Sequence, residues 1–432
     1  MWHIKKRSMC QALALYIFIT PFLLNFLQDF LHIPGLVKYT VDAAWFVVFV
    51  CMLFMKEQFV YKKILPILAV ILAYVAYVLV AYLFNYQSVF YFLWGLRNNA
   101  RYLVAFLVFV YFLDKDDVAL CLRSIDMLFV VHIVVTFVQF FFLGYKWDYL
   151  GGIFGVQLGC NGHSMILITI VSIKSLLMYM HDREKLVTCL AKCCACLIIA
   201  AMAELKFFFI LFLIILLVAA LVTRFSVKKV LLIVGVSLVV FVAGNVFIAI
   251  WGGDSALSID RIVQLVTSES YSSTKDLGRF TAIPIISHTI LVDMPYKLFG
   301  LGLGNCDTSS FAVCNTPFYQ SHAYLNYDWL SSAFSFIETG YVGLGLFLLF
   351  FCVVLVCAIR VKRRNEGDEM YSEMSIVMSV VCVALFFYNS SLRTDIGYVV
   401  YFVLALPFIS TSSEGLFHSV WKTKQVYARH GD

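Results

Sequence analysis

The sequence predicts an all-α, polytopic membrane protein of about 12 transmembrane helices with one large loop outside the membrane. Three observations lead there. The 432 residues are 62% apolar and only 13% charged, whereas ordinary soluble domains are about a quarter charged. Apolar runs long enough to cross a bilayer recur along the whole chain. The Lys and Arg residues between those runs fall on a single face when the runs are counted as spans, as the inside bias of basic residues requires.

The spans read as 10–31, 40–55, 64–83, 101–113, 124–143, 164–181, 186–203, 207–223, 229–251, 333–358, 372–389 and 396–411. Lys5, Lys6 and Arg7 precede the first. Lys56, Lys62 and Lys63 follow the second, Lys115 and Arg123 the fourth, Arg183 and Lys185 the sixth, and Arg224, Lys228 and Lys229 the eighth. Arg360, Lys362, Arg363 and Arg364 follow the tenth, and Lys422, Lys424 and Arg429 the twelfth. Both termini are then cytoplasmic and the large loop faces outside. Trp94, Trp147, Trp251 and Trp329 fall at the predicted outer boundaries, as an interfacial belt requires. The basic stretch before Met9 runs into a long span with no small-residue cleavage site and reads as an uncleaved first span. Topology accounts for the net charge of +6, and no dense basic run with interleaved exposed aromatics supports nucleic-acid binding.

The chain divides into residues 1–251 with nine spans, the loop 252–332, and residues 333–432 with three spans and a tail. The loop is the only extramembrane stretch large enough to hold a site. It carries Arg261, Arg279, the run Gly300-Leu301-Gly302-Leu303-Gly304, and Ser321-His322-Ala323-Tyr324. No G-x-x-x-x-G-K-[ST] occurs, which weighs against an ATP-driven pump, and the glycine run lacks the strand–helix setting of a dinucleotide site. No inverted repeat and no paired broken spans point to a secondary transporter. Lys174 and Lys192 lie inside spans and read as side chains reaching toward the inner face, and His132 as a packed neutral histidine. The cluster Lys192-Cys193-Cys194-Ala195-Cys196 has no His or acid partner and reads as helix packing, as does Cys189, so no metal is expected. Cys306 and Cys314 lie in the outer loop, where an oxidising compartment allows a disulfide between them.

The outer face carries more cations than the inside bias leads one to expect. Arg97 and Arg101 stand four residues apart, on one face of a helix. Lys206 lies at the turn after the seventh span, Arg261 and Arg279 in the loop, and Arg393 before the twelfth span. The guanidinium fork fits phosphate oxygens, so such a group, if it converges, suits a phosphate or diphosphate at the membrane boundary. The competing reading pairs each cation with a nearby acid: Arg261 with Asp260, Lys206 with Glu204, Arg393 with Asp395. His322 is the candidate acid–base group, because an imidazole exchanges protons near neutral pH. Tyr324, Asn326 and Tyr327 stand beside it, and Glu338 with Gly340 opens the next span. His163 and His288 compete, the latter in an amphipathic stretch over 280–292 that rests at the interface. Gly300, Gly302 and Gly304 permit close approach of a ligand, or a tight loop packed under another.

In this order the motifs resemble the superfamily of O-antigen polymerases and O-antigen ligases (Wzy-like and WaaL-like membrane glycosyltransferases). The resemblance covers almost the full length. Its local matches are Gly278-Arg279, Pro295 followed by Gly300 to Gly304, His322-Ala323-Tyr324-Leu325, and Glu338-Thr339-Gly340-Tyr341-Val342-Gly343-Leu344. Two positions depart: Ala323 stands where the family has Asn, and Glu204-Leu205-Lys206 where it often has Ser-Arg. The resemblance implies a GT-C-like helical bundle in a bacterial inner membrane, with the loop in the periplasm. The donor is an oligosaccharide on undecaprenyl diphosphate, and the diphosphate leaves. Arg97, Arg101, Lys206, Arg261 and Arg393 would hold it, with Arg279 and His322 catalytic. Gly300, Gly302, Gly304 and Tyr324 would meet the substrate. No cofactor is expected, and arginines in place of a divalent ion fit the lack of an outer Asp-x-Asp. A chain-length regulator is an expected partner. A polymerase is the leading expectation. The alternatives are a ligase acting on lipid A–core, a flippase or exporter of the same glycolipid, and an unrelated solute transporter.

Overall fold

The computed structural model describes residues 2–54, 63–85, 87–224, 226–251, 276–307 and 315–409. The fold is all helical, with no strand among the described residues. We number the helices α1 (Trp2–Leu31), α2 (Tyr39–Phe54), α3 (Leu65–Asn85), α4 (Val89–Phe112), α5 (Lys115–Phe141), α6 (Asn161–Met180), α7 (Leu186–Met202), α8 (Lys206–Val222) and α9 (Val227–Trp251). Then come three short helices, α10 (Ala282–Thr289), α11 (Met294–Phe299) and α12 (Pro317–His322), followed by α13 (Ser331–Arg363), α14 (Glu369–Tyr388) and α15 (Gly397–Ile409).

Every segment read as a span is a helix. Eight of these helices are long and apolar enough to cross a membrane among the described residues, and α7, α8 and α15 are shorter apolar helices. α4 is not among the eight. It also starts at Val89, well before the expected boundary at 101. The polar run Arg97-Asn98-Asn99 hides this part of the helix from a hydropathy reading, but the fold satisfies each group. Arg97 pairs with Asp42 of α2, Asn98 donates to Asp307, and Asn99 donates to Gly95 O within the helix at 2.9 Å.

Burial separates centre from rim. α6 is 83% buried and α14 72%, against 22% for the span in α9, and in α15 every residue from Tyr398 to Ile409 except Pro407 is at most 1% exposed. The shortest apolar helix is thus the axis of the bundle, with Phe18, Phe106, Phe109 and Phe350 packed against its rings. Rim helices present Leu217, Leu221, Val234, Phe241 and Phe141 outward. Between apolar helices in lipid, close packing and internal hydrogen bonds supply the association that water would otherwise drive.

One end of the bundle gathers the basic loops. Lys362 binds Glu373 at 2.5 Å and the carbonyl of Val222. His181 reaches the same Glu373 at 2.6 Å, Arg183 pairs with Asp368 at 2.7 Å, and Lys63 with Glu366 at 2.5 Å. At this end Asp114 caps α5 in a reciprocal box with Asp117, and Gln11 of α1 donates to Asp114 at 3.1 Å. Lys174 and Lys192, expected to reach toward the inner face, share Asp126 at 2.6 and 3.3 Å, and Lys192 also meets Glu184, in the loop that carries Arg183, at 2.7 Å. The charges are neutralised inside the bundle, as buried charges must be.

α13 breaks at Gly340 (φ 60°, ψ −165°). The break frees carbonyls that a membrane interior cannot hydrate, and Tyr77 of α3 covers one, donating to Thr339 O at 2.5 Å. Tyr77→Phe is expected to lower stability by about 1–2 kcal/mol through the carbonyl left bare, visible as a lower thermal unfolding midpoint in detergent.

Candidate functional site

The end opposite the basic loops is hollowed by a cleft of about 630 Å³. Its wall comes from the turn after α1, the middle of α4, the α5–α6 loop, the α7–α8 turn, the segment before α10, the approach to α13, and the link between α14 and α15. Three of the arginines singled out in the sequence meet here: Arg101, Arg279 and Arg393, with Lys38 beside them.

Each guanidinium is held differently. Arg101 pairs with Asp395 at 3.3 Å and also donates to Tyr102 OH at 2.5 Å and to Arg393 O at 3.2 Å. Tyr102 passes the connection on, donating to Arg393 O at 2.6 Å. Burial raises the Asp395 carboxyl, but Arg101 above all, with Lys38, His163 and Arg97, brings it below its ordinary range. Arg279 donates to Tyr388 O at 2.5 Å and lies over the Tyr388 ring at 4.4 Å. That ring is stacked in turn on Phe207 of α8 at 3.9 Å. Arg393 lies 3.2 Å above the face of Phe334 and has no ion-pair partner among the described residues. The expected Arg393–Asp395 pair is replaced by Arg101–Asp395. A guanidinium offers five N–H donors, so these contacts leave donors on Arg101 and Arg393 for a ligand.

The α5–α6 loop is built to hold its shape. Gln139 exchanges hydrogen bonds with Gly152, at 2.9 and 2.7 Å. Asp29 of α1 accepts from Val156 N at 2.7 Å and from Gln157 at 2.5 Å. His132 is buried; its Nδ1 accepts from Ile153 N at 3.3 Å and its Nε2 lies 2.9 Å from Ser164 Oγ. These bonds seat Phe154 between Phe22, His132 and His163, with ring centroids 5.7 to 5.9 Å apart. His163 thereby becomes the imidazole on the cleft wall.

Other residues singled out in the sequence lie elsewhere. Arg97 and Arg101 do share a helix, yet Arg97 is turned to Asp42, Asn98 and the rings of Trp94 and Tyr39; one helical turn separates a residue in the cleft from one outside it. Lys206 pairs with Glu204 at 2.9 Å, and only Glu204 reaches the cleft. His322 is outside too: it ends α12, stacks on Phe318 at 4.3 Å, and meets Ser321 Oγ at 2.8 Å. Tyr324 is exposed and also outside the cleft. The glycine run follows the packing alternative. Leu301 N and Gly302 N donate to the carbonyls of Ile337 and Glu338 at 2.8 and 2.9 Å, and Gly304 N to the Glu338 carboxylate at 2.7 Å. A side chain on Gly95 of α4 would collide with the backbone of Gly304. The run therefore locks the loop onto α4 and α13. Arg261 and Cys314 lie outside the described residues, and with Cys314 the Cys306–Cys314 pairing.

Residues not selected from the sequence also build the site: Tyr102, Lys38 and Asp328 line or support the cleft. Tyr102 has a signal, since it follows Arg101 in a helix; Lys38 and Asp328 have none beyond polarity at a span boundary. No protein-family model matches this chain, and a search of curated proteins returned no match.

Proposed function

We propose that this chain is a membrane glycosyltransferase that polymerises a surface polysaccharide, joining oligosaccharide repeats carried on undecaprenyl diphosphate at the periplasmic face of a bacterial inner membrane. In this reading the protein has about twelve spans with both ends cytoplasmic. The observation that carries it is the meeting of Arg101, Arg279 and Arg393, from distant parts of the sequence, in one cleft. A diphosphate leaving group gains negative charge as the glycosidic bond breaks, and fixed guanidinium donors stabilise that charge at little reorganisation cost. The exposed Trp329 ring on the cleft wall offers a face for a sugar or an isoprenoid chain. A carrier would place cations along the membrane interior. The interior lysines, Lys174 and Lys192, are neutralised by acids and do not line the cleft.

The test is reconstitution. Purified protein in lipid discs, given the lipid-linked repeat, should yield longer lipid-linked chains and free undecaprenyl diphosphate. Transfer only to a lipid A–core acceptor would make it a ligase, and no transfer to either acceptor would end the reading. In the same assay His322→Ala is expected to stay within about threefold of wild type, because loss of a general base costs about 100- to 10,000-fold and His322 does not face the cleft.

A further inference from the structure

Five carboxylates line the cleft, and four are engaged by side chains. Asp395 pairs with Arg101, Glu204 with Lys206, Asp148 accepts from Asn161 at 2.8 Å, and Asp307 accepts from Asn98. Asp328 has no side-chain partner among the described residues and is half-buried. Its position is fixed from both sides. Asn326 precedes its turn in the left-handed region, φ 49° and ψ 35°, a conformation most side chains avoid and Asn tolerates. Next to it Tyr327 is fully buried and donates to Cys306 O at 2.6 Å. Upstream, Leu277 N donates to Leu325 O at 3.1 Å. A carboxylate oriented by the backbone N–H groups of Asp328 and Trp329, with no side-chain partner among the described residues, in a cleft lined by arginines is poised to accept a proton.

We propose that Asp328 is the general base of this site, taking the proton from the acceptor sugar's hydroxyl group. The inference rests on the transferase reading above. In the step, the acceptor oxygen bonds to the anomeric carbon of the donor, and the bond from that carbon to the diphosphate oxygen breaks. The electron pair leaves with the diphosphate, among the guanidinium groups of Arg101, Arg279 and Arg393. The hydroxyl proton passes to Asp328, which later releases it to water. The charged groups facing Asp328 are Arg393 and Asp307, with the Tyr327 hydroxyl on its own turn. Burial pushes the Asp328 carboxyl above its ordinary range; hydrogen bonds from the backbone N–H groups of Asp328 and Trp329 and the charge of Arg393 draw it partly back, and Asp307 adds to the rise. A base raised toward the working pH is a better proton acceptor than an ordinary carboxylate. Only its deprotonated form acts, so activity falls as pH drops through the raised value.

The experiment compares wild type, Asp328→Asn and Asp328→Glu in lipid discs, measuring both binding of undecaprenyl diphosphate and transfer between lipid-linked repeats across pH. Asp328→Asn is expected to bind the diphosphate lipid within about twofold of wild type while transfer falls about 100-fold or more. Asp328→Glu should recover part of the rate, with its acid limb displaced along the pH axis. The proposal is overturned if Asp328→Asn keeps more than about a tenth of the rate, or loses lipid binding as well. It is likewise overturned if His163→Gln, rather than Asp328→Asn, abolishes the acid limb. Wild type that neither binds nor transfers sinks the transferase reading itself; active wild type with an active Asp328→Asn sinks this inference alone.

Discussion

Arg393→Ala should reduce glycan transfer by about 100- to 1,000-fold, the cost of deleting one preorganised donor to developing negative charge. Arg393 is chosen because its charge is the least committed of the three. Arg101 is balanced by Asp395, and its loss would leave that half-buried acid uncompensated, mixing a folding defect with a catalytic one. Arg393 rests on the Phe334 ring, so its removal leaves no orphaned carboxylate in direct contact. The loss should fall mainly on kcat, since the charge it meets grows as the glycosidic bond breaks. Arg393→Lys keeps a point charge without the fork and should recover part of the rate. Single-turnover measurements with the lipid-linked repeat decide the matter. A folded Arg393→Ala protein with transfer near wild type would remove the arginine cluster as the basis of the proposed chemistry.

Gly340→Ala should cost about 3 kcal/mol of stability or more, enough to lower the yield of folded protein sharply. Gly340 has φ 60° and ψ −165°, a conformation closed to side chains. A Cβ there would strike the carbonyl of Leu298 and the amide of Gly300, and both belong to backbone that is itself held in place. Relief would mean parting α13 from the glycine run, with loss of the bonds from Leu301 and Gly302 to Ile337 and Glu338. Gly244→Ala is the matched control. It lies within α9 with open space where the methyl would go, and should be neutral or stabilising by up to about 1 kcal/mol. Thermal unfolding of the two variants in detergent compares them directly; equal midpoints would mean that the break in α13 is not a fixed feature.

Much of the helical layout was legible because apolar runs and basic loops report a bilayer one residue at a time. The exception, the early half of α4, failed for a related reason. Its polar groups are satisfied by Asp42, Asp307 and Gly95 O, partners that composition cannot supply. The arginine cluster was legible in part. Net charge on a face identifies candidates, but whether a guanidinium turns inward depends on which acid it meets, as Arg97 and Arg101 show one helical turn apart. His322 read as chemical because histidine titrates near neutrality, a property of the residue that says nothing of direction. Asp328 was invisible for the opposite reason: an aspartate at a span boundary is ordinary, and what distinguishes it is the absence of a side-chain partner, which only coordinates reveal. The glycine run drew notice for its backbone freedom, and the fold uses that freedom to let a loop settle on two helices.

The placement of α15 at the axis has a consequence for synthesis. Helices made early must stand in the bilayer around a gap until residues 397–409 leave the ribosome, and Asp395 arrives only just ahead of them. Until then Arg101 has no counter-ion and the Phe18, Phe106 and Phe350 rings have nothing at their centre. The nascent protein therefore lacks its most buried helix until residues 397–409 join it, and the cleft gains Arg393 and Asp395 only as they do.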